Sequence, residues 1–114
     1  MSLVIYAMED KYLIYSGKGM VIRISQPIIK IWHKKRQTKH HNNEQFGVLI
    51  GACLPDFKDY WIESITVPYR NDKSSRHNFH LKDKKHQKIV NQAFKSSNGE
   101  LIYLGTWHTH PENH

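Results

Sequence analysis

Hydrophobic positions fall into short blocks along this chain, and the spacing within each block predicts what it forms. Leu3–Ala7 and Tyr12–Ser16 are apolar and aromatic runs on either side of Met8-Glu9-Asp10-Lys11, a pattern that predicts a hairpin. Gly17-Lys18-Gly19 reads as a turn and Met20–Ile24 as the next strand. Ser25 can cap a helix that takes Pro27 in its first turn. Ile28, Ile29, Ile31 and Trp32 give that helix an apolar face, and Lys34, Lys35, Arg36 and Lys39 suit its C-terminal end. His40-His41-Asn42-Asn43 is a polar break.

Phe46–Leu54 is an apolar run holding Gly47 and Gly51, the pattern of a central strand that other atoms approach closely. Pro55-Asp56 starts a turn. In Tyr60–Val67, Ile62, Ser64 and Thr66 alternate with Trp61, Glu63, Ile65 and Val67, which predicts another strand. Pro68–Arg76 is a polar loop, and His77, Phe79 and Leu81 alternate as in a short strand. From Asp83 onward, His86, Ile89, Val90, Ala93, Phe94 and Ser97 recur at helical spacing, and Asn98-Gly99 ends the helix. Leu101–Trp107 is the last strand. The order predicts a mixed α/β fold: one central mixed sheet with a helix on each face or a helix pair on one.

At 114 residues the chain is expected to form a single domain, residues 1–114. The formal charge of +7 favours acidic partners in general. No nucleic acid is expected, because no element interleaves basic residues with an aromatic platform. A single cysteine, Cys53, allows no intrachain disulfide and reads as a small buried hydrophobe. No apolar run approaches the roughly 20 residues of a membrane-spanning helix. Glu9, Asp10 and Lys11 cut the first apolar run too short for a signal peptide, so a cytoplasmic protein is expected.

The chemistry concentrates at the end of the last strand. Residues i and i+2 of a strand point to one face, so His108 and His110 can present two imidazoles to a common point, with Pro111 ending the ladder. Two neutral nitrogen donors suit zinc, though H-x-H alone is a weak signal. Its company adds to it: Glu44-Gln45-Phe46-Gly47-Val48-Leu49-Ile50-Gly51 is a carboxylate leading into a glycine-bearing strand, and Tyr103-Leu104-Gly105 precedes Trp107-His108-Thr109-His110-Pro111. Together these resemble the JAB/MPN family of zinc metallopeptidases, whose JAMM signature is a glutamate, H-[ST]-H-P and then S-x-x-D. Ser75-Arg76, Phe79 and His86-Gln87 add a likeness to the prokaryotic JAB proteins of CBASS anti-phage operons.

The resemblance implies an MPN/cytidine-deaminase-like architecture, a Zn2+ cofactor and amide hydrolysis. Glu44 matches the base that takes a proton from zinc-bound water, and His108 and His110 match two zinc ligands. The implied substrate is a protein: a ubiquitin-like modifier, or the C-terminal tail of a conjugated nucleotidyltransferase, joined to a target amine. Arg76, in the basic loop Lys73–His77, and Trp107, beside His108, are candidate substrate contacts. The family's third ligand, the aspartate of S-x-x-D, and its serine have no counterpart before His114, and neither Glu112 nor His114 matches a family ligand. The expectation is a domain incomplete at its C-terminal end, with an exposed sheet edge through which it could dimerise. A non-catalytic MPN-type interaction module is the alternative. Trp32, Trp61 and Trp107 are most simply core residues, and His86 a satisfied core or boundary histidine.

Overall fold

The computed structural model describes residues 1–5, 14–17, 19–35, 43–56, 58–74 and 79–109. Its elements are β1 (Ser2–Ile5), β2 (Ile14–Gly17), β3 (Met20–Ile24), α1 (Gln26–Lys35), β4 (Phe46–Cys53), β5 (Asp59–Ile65), β6 (Lys73–Ser74), β7 (Phe79–His80), α2 (Lys85–Ser96) and β8 (Ile102–Thr109). Six strands make one mixed sheet in the order β1-β8-β4-β5-β3-β2, and β6 and β7 form a separate two-stranded ladder. This is the mixed α/β architecture that the order of elements predicts, and it is consistent with a JAB/MPN-type fold.

The expected hairpin between the first two strands does not form. β1 runs parallel to β8 at one edge, from Ser2 opposite Thr106 to Ile5 opposite Thr109, whereas β2 pairs antiparallel with β3 at the other edge. β8 has two hydrogen-bonding sides and β4 occupies only one. β1 satisfies the other, Thr106 N–H donates to the Met1 carbonyl at 2.9 Å, and Leu3 packs against the core. Neither β8 nor β4, the two strands nearest the candidate chemistry, is an edge.

β4 is the central strand. Leu49 belongs to the main core, and the alternating positions Phe46 and Val48 are buried as well, so both of its faces are covered. The close approach expected at its glycines comes from neighbouring backbone: a Cβ on Gly47 or Gly51 would lie 1.8 Å from the carbonyl oxygen of Thr66 or Trp61. Helix α1 starts where Ile28 and Ile29 donate their N–H groups to the Ser25 carbonyl. It buries Ile28, Ile29 and Trp32 against Ile22, Ile24, Leu49, Ile62, Leu104 and Trp107. Cys53 packs at the margin of that cluster. Trp61 differs from the core position expected of it: it is half-buried, with the Arg23 guanidinium 4.8 Å from its ring.

The polar segment after β5 carries the β6–β7 ladder, Lys73 opposite His80 and Ser74 opposite Phe79. Helix α2 follows, and of its residues only His86 is buried. Ile89, Val90 and Ala93 are half-buried and Phe94 is 51% exposed, so much of the predicted apolar face is not sealed. Asn98 (φ 55°) and Gly99 (φ 84°) end the helix in the left-handed region, with Gly99 N–H donating to the Phe94 carbonyl at 2.8 Å.

Candidate active and metal site

The antiparallel pairing of β4 with β8 brings two of the predicted site residues, Glu44 and His108, together. Phe46 lies opposite His108. The pairing continues past the ladder, because Thr109 N–H donates to the Gln45 carbonyl at 2.8 Å and Gln45 N–H donates to Thr109 Oγ1 at 2.9 Å. Thr109 is fully buried and Gln45 half-buried, so the clasp sits at the edge of the interior. It delivers Glu44 beside His108, with Oε1 3.8 Å from Nε2. The Glu44 side chain is 8% exposed and that of His108 21%, so the pair sits at the boundary of the interior with the imidazole on the wetter side. Glu44 is therefore not the exposed loop carboxylate that its place after a basic helix would suggest.

At 3.8 Å the pair is at ion-pair distance and beyond a direct hydrogen bond. The His108 ring nitrogen is a donor type that zinc accepts, and the Glu44 carboxylate beside it is a proton acceptor, so the described pair suits a zinc ion and its water in its chemistry. Among the described residues no group of three or more His, Cys, Asp or Glu side chains gathers to hold a metal. His110, Glu112, His114 and Arg76 lie outside the described residues.

Trp107, expected at the wall of the site, is placed elsewhere. It is fully buried, its ring lies 5.9 Å from that of Trp32, and its indole N–H donates to the Thr66 carbonyl at 2.9 Å. Side chains alternate along a strand, so His108 lies on the opposite face of the sheet from Trp107, which serves the core.

A second polar cluster lies beside these strands, and sequence reasoning missed all of it but His86. The buried His86 places Nδ1 2.5 Å from Thr66 Oγ1 and Nε2 2.5 Å from Asp72 Oδ2. Asp72 also accepts the backbone N–H of Tyr69 on Oδ2, and those of Lys82 and Asp83 on Oδ1, at 2.7–2.8 Å. Burial raises the proton affinity of the Asp72 carboxyl, but the amides of Asp83, Tyr69 and Lys82 together with His86 outweigh it and hold the pKa below the usual carboxylate range. The Tyr69 ring stacks 4.9 Å from His86 and carries the Lys85 ammonium at 4.6 Å. No periodicity marks Asp72, which in sequence is one more polar residue of a polar loop.

Residues 28–114 match the family model described as prokaryotic homologs of the JAB domain. A "CD-NTase/cGAS isopeptidase" of Escherichia coli (strain TW11681) is 36% identical over 106 residues, which cover 93% of this chain and 66% of the relative. A protein of the same description from Vibrio cholerae serotype O1 is 38% identical over 108 residues, covering 93% and 67%. One from Pseudomonas aeruginosa (strain BWHPSA011 / Pa011) is 29% identical over 93 residues, covering 82% and 58%. The chain thus spans about two thirds of the length of the first two relatives.

Proposed function

This chain belongs to the family of prokaryotic homologues of the JAB domain, and on that footing we propose that it is a zinc-dependent isopeptidase, hydrolysing the amide between the C-terminus of a conjugated protein and a target amine. The observation that carries this reading is the buried Glu44 carboxylate 3.8 Å from His108 Nε2, at the paired ends of β4 and β8. His108 and His110 would hold the metal, and Glu44 would act as the base rather than as a ligand. When bound, zinc supplies Lewis acidity toward a water and toward the scissile carbonyl. Glu44 Oε1 takes the proton of the attacking water and returns it to the leaving nitrogen.

The relatives are described as CD-NTase/cGAS isopeptidases, which supports a CD-NTase as the substrate class; the proposed scissile amide lies at its C-terminus, and the proposed setting is anti-phage signalling. Arg76 is the proposed contact for the extended tail of that substrate. Residues 1–114 form one JAB/MPN domain in this reading, and any association through a sheet edge uses β1 or β2. No helix among the described residues is long and apolar enough to cross a membrane, and the proposed location is the cytoplasm.

The test measures zinc per chain by elemental analysis and turnover of an isopeptide-linked reporter, for the 114-residue chain and for any longer form its gene encodes. Glu44→Gln is expected to keep its zinc and lose about 10²- to 10⁴-fold in turnover. His108→Ala is expected to lose the metal. Normal turnover in Glu44→Gln would show that another group is the base. Absence of zinc from every form would leave a non-catalytic interaction module.

A further inference from the structure

Thr66 follows directly on β5, and all of its polar groups are engaged. Its N–H donates to the Val48 carbonyl at 3.1 Å, its Oγ1 accepts Val48 N–H at 2.9 Å, and its carbonyl accepts the Trp107 indole N–H at 2.9 Å. Val48 is two residues along β4 from Phe46, the partner of His108, and Trp107 adjoins His108 in β8. One residue therefore grips both strands of the Glu44–His108 pair. No side chain can occupy position 47 between them, because a Cβ there would lie 1.8 Å from the Thr66 oxygen and 2.7 Å from the Trp107 indole nitrogen.

The direction of the hydrogen bonds follows from Asp72. Both of its oxygens accept backbone N–H groups, and Oδ2 faces His86 Nε2 as well, so Nε2 carries the proton. In the neutral ring Nδ1 is then the acceptor, and the Thr66 hydroxyl must donate to it. The chain runs Val48 N–H to Thr66 Oγ1, Thr66 O–H to His86 Nδ1, and His86 Nε2–H to the Asp72 carboxylate. Every donor has one acceptor, which gives the hydroxyl a single orientation.

We propose that His86 is a positioning residue for the Glu44–His108 pair: fixed by Asp72 as the Nε2–H tautomer, it locks the Thr66 hydroxyl and, through Val48 and Trp107, sets the placement of β4 against β8. This rests on the reading of Glu44 and His108 as the working site. The network also ties α2 and Asp72 to the strands at whose ends Glu44 and His108 lie.

The test compares His86→Leu, Thr66→Val and Thr66→Ser with the unaltered chain. Ring ¹⁵N NMR is expected to show His86 as the Nε2–H tautomer. The ring signals of His108 are expected to shift in His86→Leu and Thr66→Val and to return in Thr66→Ser, which restores the hydroxyl. On the isopeptide reporter, the first two variants are expected to lose about tenfold in kcat with KM unchanged. A His86 ring protonated on Nδ1 alone overturns the proposal. So do unmoved His108 signals in variants whose only change is a lower melting temperature. If the His108 signals move while the unaltered chain neither binds zinc nor hydrolyses the reporter, the positioning role stands and the isopeptidase reading fails. The Thr66 pair decides the question even where His86→Leu does not fold.

Discussion

Helix α1 sinks Ile28, Ile29 and Trp32 into the core, each no more than 3% exposed, whereas α2, two residues longer, sinks only His86. The first helix is held by apolar area, a force without direction that tolerates small shifts. The second is held by hydrogen bonds to Thr66 and Asp72, which fix angle and distance but need every partner in its charge state. The difference teaches where the structure spends precision. Helix α1 closes the interior; α2 is registered against the strands that bear Glu44 and His108.

The comparison breaks most visibly at Trp32. Trp32→Ala removes a fully buried ring that packs on Trp107 and is expected to cost about 3–5 kcal/mol in urea-induced unfolding. His86→Leu strips two hydrogen bonds and leaves buried polar groups unmatched, for an expected loss of about 1–3 kcal/mol by the same measurement. Acid should separate the helices without any mutation. The folded pKa of Asp72 is depressed, so its stabilising contribution is full above the unfolded carboxyl pKa and is lost as pH falls through the lower folded value. Hydrogen exchange below pH 4 is expected to release the amides of the 69–86 segment before those of α1; simultaneous release would mean that Asp72 does not govern α2. Phe94→Ala is the smallest case: the ring is 51% exposed, and a change within about 0.5 kcal/mol is expected. A larger loss would show that the apolar side of α2 matters more than its exposure suggests.

Much of the fold was legible because burial leaves a periodic trace. Both helices, β3, β4, β5 and β8 stand near their predicted places. The placement of β1 was not legible, since parallel pairing with a strand a hundred residues away leaves no local sign and the nearby turn residues pointed to a hairpin. Glu44 and His108 were legible only through a family motif. Nothing in their own neighbourhoods announces that the β4–β8 register brings them within 3.8 Å. Asp72 was hidden for the opposite reason: a polar side chain in a polar stretch looks solvated until its partners are seen. Thr66 read only as one alternating position of a strand. Trp107 shows how adjacency in sequence misleads in a strand, where neighbours face opposite sides.

The position of β8 between β1 and β4 has a consequence for the order of assembly. As the chain leaves the ribosome, β2, β3, β5 and β4 can join while β4 still shows a bare hydrogen-bonding side and β1 has nothing to pair with. Residues 102–109, late in the chain, supply the partner that both strands lack. That pairing joins the most distant parts of the sequence, the kind of contact that slows folding. Until it happens the nascent chain offers an open strand to its neighbours, and the clasp of Thr109 on Gln45 that sets Glu44 in place does not yet exist.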